Sequence, residues 1–128
     1  MSKKLIFLAA FAAAHCNAQP PESFFRALHQ VETSGRLGPI RGDGGRALGP
    51  LQIHAGYWMD AGVPGRYEDC ADYAYSVRVV SAYLRKHAPR AWVVGDVRTL
   101  ARIHNGGPAG ARKAATASYA SKVIRALR

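Results

Sequence analysis

Glu32 and Asp43 stand eleven residues apart in a chain that has only eight acidic residues against 18 lysines and arginines. On a helix, Phe25, Leu28, Val31 and Glu32 share one broad stripe. That puts Glu32 at the edge of an apolar face, a setting in which a carboxyl keeps its proton, as a general acid must. Asp43 lies between Gly42 and Gly44, where backbone amides and water reach it, so a carboxylate there stays ionised. Two carboxyls held in opposite protonation states fit glycoside hydrolysis. One protonates the leaving oxygen while the other attacks or stabilises the anomeric carbon. Both residues also have ordinary structural readings: Glu32 as a helix-surface acid, Asp43-Gly44 as a hairpin turn.

The elements that must position this pair follow from local pattern. Pro20-Pro21-Glu22 opens a helix. Phe24, Phe25, Leu28 and Val31 continue it at helical spacing, and Ser34-Gly35 ends it. The segment 38–49 is too glycine-rich for helix; Ile40, Leu48, Leu51 and Ile53 predict short strands or a hairpin around Asp43-Gly44. Ala55 to Ala61 reads as a short helix stopped by Gly62 and Pro64. Asp69 to His87 is the longest helical stretch, stopped by Pro89. Asp96 caps a helix through His104, Asn105-Gly106-Gly107-Pro108 breaks the chain, and Ala114 to Leu127 forms a last helix. The sum is an α+β domain, mostly helical with a small β element near its front.

Bulk properties narrow the setting. Met1-Ser2-Lys3-Lys4, ten apolar residues from Leu5 to Ala14, and Cys16-Asn17-Ala18 have the three-part form of a secretory signal peptide. The apolar run is too short to span a membrane. Cleavage after Ala18 leaves 110 residues, the size of one domain (19–128), and lowers the formal charge from +10 to +8 by removing Lys3 and Lys4. It also leaves Cys70 alone, so no internal disulfide is expected and the apolar core must hold the fold. The positive charge implies an anionic partner or a solubilising surface. Nucleic acid is not the expected partner, for no zinc-finger spacing, aromatic RNA-binding motif or phosphate-cradling loop occurs.

Three further segments carry a resemblance: Gly49-Pro50-Leu51-Gln52-Ile53, then Tyr57-Trp58-Met59-Asp60-Ala61-Gly62, and Ala101-Arg102-Ile103-His104-Asn105-Gly106-Gly107-Pro108-Ala109-Gly110. Together, over Phe24 to Leu127, the chain resembles the invertebrate-type lysozymes, the destabilase family. The resemblance implies a lysozyme-like α+β fold with a small β-hairpin beside the active-site cleft. It implies Glu32, in Glu32-Thr33-Ser34-Gly35, as proton donor. Asp43, before the Gly-x-x-Gln-Ile strand, matches the family's nucleophile or stabiliser. Gln52, His54, Tyr57, Trp58, Asp60, His104, Asn105 and Gly106 would then line the sugar cleft. Structural roles stand beside these: Trp58 as core, Gln52 as a brace, His104 as a helix-end residue bonding its neighbours. His104 is also the residue that a serine-histidine isopeptidase arrangement would use. The chain departs from the family in its cysteines, since animal members are dense in disulfides, which suggests a bacterial or phage relative. Its Glu-to-Asp spacing is also about one residue shorter.

The expected activity is therefore that of an exported lysozyme, secreted or periplasmic. It would cut the β-1,4 bond between N-acetylmuramic acid and N-acetylglucosamine, with retention if the carboxyls stand about 5 Å apart. Peptidoglycan is the expected partner, a monomer the expected state. No cofactor is implied, and His54 with His104 lacks the third ligand a metal site needs. Two other readings remain open at this point: a lytic transglycosylase working with one acid, and a cationic wall-binding or antimicrobial protein without turnover.

Overall fold

The computed structural model describes residues 19–128; the predicted signal peptide lies outside them. The first helix, α1, spans Glu22–Thr33, with Glu22 in its first turn and Ser34 in the left-handed conformation (φ 56°) at its end. It buries Phe24, Phe25, Ala27 and Leu28. Three two-residue strands follow: β1 (Arg41–Gly42), β2 (Ala47–Leu48) and β3 (Ile53–His54). They form an antiparallel sheet in the order β1-β2-β3, with Arg41 opposite Leu48 and Ala47 opposite His54. The expected hairpin around Asp43 is thus present as β1–β2, and a third strand extends it. Leu48, Leu51 and Ile53 turn into the core.

Helix α2 (Ala55–Ala61) ends at left-handed Gly62, as its sequence predicts. The longest helix, α3, begins at Tyr73, not at Asp69, and runs to His87. Residues Tyr67–Ala71 form a tight 3-10 turn in which the Asp69 carboxylate accepts the Arg66 amide at 2.8 Å. Asp72 then caps α3 by accepting the Tyr75 amide at 2.8 Å. Three acids in close succession (Glu68, Asp69, Asp72) blur the start of this helix in the sequence. Pro89 ends α3 and at once opens α4 (Pro89–Val94), a helix the sequence reading did not contain. Proline's fixed φ suits a first helical turn as well as it blocks an interior one. Helix α5 (Val97–Gly106) is capped by Asp96, which accepts both the amide (3.2 Å) and hydroxyl (2.7 Å) of Thr99. It runs two residues past His104, so the chain breaks at Gly107 and not at Asn105. The last helix, α6, spans Thr116–Ala126.

Helix α6 packs on both α1 and α5, while α3 meets α2, α4 and α5. Val79, Val80 and Leu84 of α3, Leu100 and Ala101 of α5, and Ala120 and Val123 of α6 close over α1 in one continuous core. Each fully buried Leu, Val or Phe contributes about 1.5–3 kcal/mol, so this core can stand in for disulfides. Cys70 is buried in it as a free thiol. Burial, and secondarily Asp69 and Glu68, push that thiol up to about 12, so it stays protonated and inert. Gly49 packs so closely on this segment that a Cβ there would fall 1.9 Å from the Cys70 carbonyl oxygen, and its φ of +83° also demands glycine. Among the described residues no helix is long and apolar enough to cross a membrane.

Candidate active site

Glu32 occupies the last turn of α1, and that turn is tied to the sheet. The Thr33 hydroxyl, buried, donates to the Pro50 carbonyl in the β2–β3 turn at 2.9 Å. The His29 ring meets the Arg36 carbonyl at 2.7 Å and folds the chain back after left-handed Ser34. The Glu32 side chain is 19% exposed. Its Oε1 accepts the Tyr119 hydroxyl of α6 at 2.6 Å, and His104 Nε2 of α5 stands 3.6 Å from the same oxygen. His104 is buried, and its Nδ1 meets the Tyr57 hydroxyl at 2.9 Å. The tautomer protonated at Nε2 satisfies both contacts, with Tyr57 donating to Nδ1. Tyr57 in turn stacks on Tyr83, centroids 3.6 Å apart.

This arrangement keeps both phenols protonated. Burial first, then the charges of Tyr83 and Glu32, hold the Tyr57 hydroxyl well above its ordinary range. Burial, the Glu32 charge and the hydrogen bond to Glu32 do the same for Tyr119. Each is therefore a permanent donor at neutral pH, and Tyr119 fixes the rotamer of Glu32.

Asp43 starts a 3-10 turn, Asp43–Gly45, between β1 and β2, with a left-handed φ of +52°. Aspartate is among the few side chains that tolerate that region. Its Oδ1 accepts from Arg46 Nη2 at 3.0 Å, and its Oδ2 stands 3.1 Å from His54 Nε2 on β3. Arg46 also donates through Nε to the Asp43 carbonyl, closing the turn. Gln52, itself at φ +52°, donates through Nε2 to the carbonyls of Ile40 (3.2 Å) and Gly49 (2.9 Å). A Cβ on Gly42 would lie 1.9 Å from Gln52 Oε1, so the residue before Asp43 must be glycine for this brace to fit.

Glu32, Asp43, Ala47, Gln52, His54 and Asn105 line one open cleft of about 410 Å³. Of the residues predicted to form the site, the structure thus brings Glu32, Asp43, Gln52, His54 and Asn105 together. Tyr57 and His104 sit behind Glu32 as its support. Trp58 donates to the Tyr75 hydroxyl at 2.9 Å and packs against α3. Asp60 pairs with Lys86 and His87 at the far end of α2, and those hydrogen bonds lower its pKa. Gly106 lies inside α5 against Thr116, and its carbonyl accepts from Lys113 at 2.6 Å. The Gly107 amide is bonded to Ile103, so it is not free for substrate. Among the described residues no serine hydroxyl bonds His104. The sequence reading missed Arg46, Thr33 and Tyr119. Arg46 had a signal, three residues from Asp43 across a turn; Tyr119, 87 residues from Glu32, had none.

A helical body clasping a small sheet, with a part-buried glutamate and a turn aspartate lining one cleft, has the architecture of the lysozyme class of proteins. The comparisons agree. A match to the family described as Destabilase spans residues 22–126, and the chain belongs to that family, the invertebrate-type lysozymes. It is 42% identical over 79 residues to a lysozyme of Ostrea edulis, covering 59% of this chain and 58% of that protein. It is 32% identical over 121 residues to a lysozyme of Magallana gigas, covering 92% and 88%. Among solved structures, Tapes japonica lysozyme superposes with a TM-score of 0.69 at 30% identity, over 80% of this chain and 87% of that one. Inhibitor-bound lysozyme from Meretrix lusoria gives 0.71 at 26% identity, over 83% and 89%.

Proposed function

We propose that this protein is an exported lysozyme that hydrolyses the β-1,4 bond between N-acetylmuramic acid and N-acetylglucosamine in peptidoglycan. Glu32 is the proton donor and Asp43 the second carboxylate. The observation that carries this reading is that the two residues face one cleft from different elements, the end of α1 and the turn of the sheet. Tyr119 engages Oε1 of Glu32, so Oε2, which has no partner among the described residues, is the oxygen that delivers the proton. Asp43 already holds a partner on each oxygen, Arg46 and His54. A carboxylate held in that way at the cleft suits the stabilisation of positive charge at the anomeric carbon. Covalent attack by Asp43 would need one partner to swing away. Arg46, whose side chain is 74% exposed, is the looser of the two. His54, Gln52 and Asn105 are the polar groups left to meet the sugars.

Masses of fragments released from purified peptidoglycan test the chemistry. Hydrolysis leaves reducing ends that have gained one water; fragments lacking that water would assign a transglycosylase instead. Glu32→Gln keeps shape but cannot donate a proton, and should cost roughly 10²–10⁴-fold in rate. Wall lysis by a folded Glu32→Gln protein at near the native rate would overturn the assignment and favour a binder without turnover.

A further inference from the structure

Away from the cleft, the seam between α1 and α6 opens into a groove of about 590 Å³, larger than the active-site cleft. Ser23, Arg26 and Gln30 line it from α1, Lys122, Arg125 and Arg128 from the C-terminal end. Four cations thus converge on one trough. Lys122, Arg125 and Arg128 have no ion pair among the described residues; Arg26 has an exposed one with Glu22 at 3.4 Å. Three of these positive charges have no side-chain counter-charge among the described residues, which costs self-repulsion, and all four side chains are exposed. Such an array is relieved by a ligand that brings several negative charges at once.

We infer that this groove binds a phosphodiester-linked polyol chain of the bacterial wall, seated between Arg26 and the Lys122–Arg125 pair. The composition of the lining selects among anionic polymers. No aromatic side chain borders the groove, so nucleic acid bases would find no stacking platform there. Ala126 is its only apolar side chain, so an acyl chain would find no slot. What remains is a basic trough with three arginines, the side chain whose planar fork pairs bidentately with phosphate as it does with carboxylate. Lys122 and Arg125, three apart on α6, are neighbours on one face, and Arg26 faces them across the seam. The trough also has a direction. Tyr119 meets Glu32 at one end of the α1–α6 seam, and the basic residues follow toward the start of α1 and the end of α6. Arg26 lies six residues before Glu32 on the same helix, about 9 Å along its axis. A chain held there runs beside the body that carries the proton donor, so the wall polymer and the glycan are engaged together.

This inference rests on the lysozyme reading, and the test separates the two. The double variant Lys122→Gln/Arg125→Gln is compared with a charge-matched control, Arg90→Gln/Arg98→Gln, which alters two exposed arginines on α4 and α5. Circular dichroism checks that both fold. Binding to soluble poly(glycerol phosphate) is measured alongside hydrolysis of peptidoglycan stripped of phosphate polymer. The groove variant should bind poly(glycerol phosphate) at least tenfold more weakly than the native protein, while the control loses much less. Hydrolysis of stripped peptidoglycan should be unchanged in both. Equal losses of binding in variant and control, or native-like binding in the groove variant, would overturn the groove. So would tighter native binding to a single-stranded oligonucleotide of equal phosphate number. Absence of hydrolysis by the native protein would instead overturn the lysozyme reading and leave the binding result to stand.

Discussion

The Tyr119 hydroxyl donates a hydrogen bond of 2.6 Å to Oε1 of Glu32, joining the last helix of the fold to the end of the first. The contact gives the packing of α6 on α1 a consequence for chemistry. A glutamate side chain has three rotatable bonds, and with Glu32 as the proposed proton donor a fixed rotamer would keep its proton aimed at the leaving oxygen.

Tyr119→Phe removes that bond and little else, since the ring still fills its place. The carboxyl would stay in the cleft but lose its fixed orientation. A fall in kcat of about tenfold, roughly 1.4 kcal/mol of barrier, is expected with KM nearly unchanged. Steady-state kinetics on a soluble chitooligosaccharide measures both. A loss confined to KM would mean that Tyr119 contacts sugar instead.

Asp43→Asn tests the second carboxylate. The side chain is half exposed and its contacts with Arg46 and His54 lie at the surface, so the change should cost little stability. Asparagine tolerates the left-handed φ that Asp43 adopts. Most hydrolysis should nevertheless vanish. A folded variant that keeps more than about a tenth of the native rate would remove Asp43 from the mechanism and leave a single-acid enzyme centred on Glu32.

Thr33→Val leaves the buried Pro50 carbonyl without its 2.9 Å donor. An unsatisfied buried acceptor costs about 1–3 kcal/mol, which urea unfolding would register as a lower midpoint at constant slope. The same bond ties the Glu32 turn to the sheet, so kcat should fall too. Stability and rate unchanged together would show that this tether is unnecessary.

Buried tyrosines set an alkaline limit. Tyr57 and Tyr119 have folded pKa values raised well above their ordinary 10.0, mainly by burial. A raised phenol favours the folded state fully while pH stays below its unfolded pKa. The unfolded chain ionises first as pH rises past about 10, and stability is lost from there toward the folded pKa. Tyrosinate absorbance should therefore rise in step with loss of the helical circular dichroism signal above that pH. Tyrosine ionisation completed well before any unfolding would contradict the buried network.

Much of this protein was legible in its sequence because the signals are local. Helical spacing with a glycine stop located α2 to the residue, and Asp96 announced the start of α5. Glu32 and Asp43 could be paired because the helix end and the glycine turn lie close in the chain. The resemblance carried by the segments around Gln52 and His104 matched the fold. The tertiary structure decided the rest. A helix distributes adjacent residues around its axis, so neighbours in one motif part company. Thus Tyr57 turns toward His104, Trp58 toward Tyr75 and Asp60 toward Lys86. Tyr119 gains its role only when α6 folds back on α1, 87 residues after Glu32, and no spacing rule spans that distance. The sequence determined which groups could do the chemistry and the elements that carry them; packing between distant helices decided which side chains hold them in place, because burial and hydrogen-bond partners exist only once the chain has closed on itself.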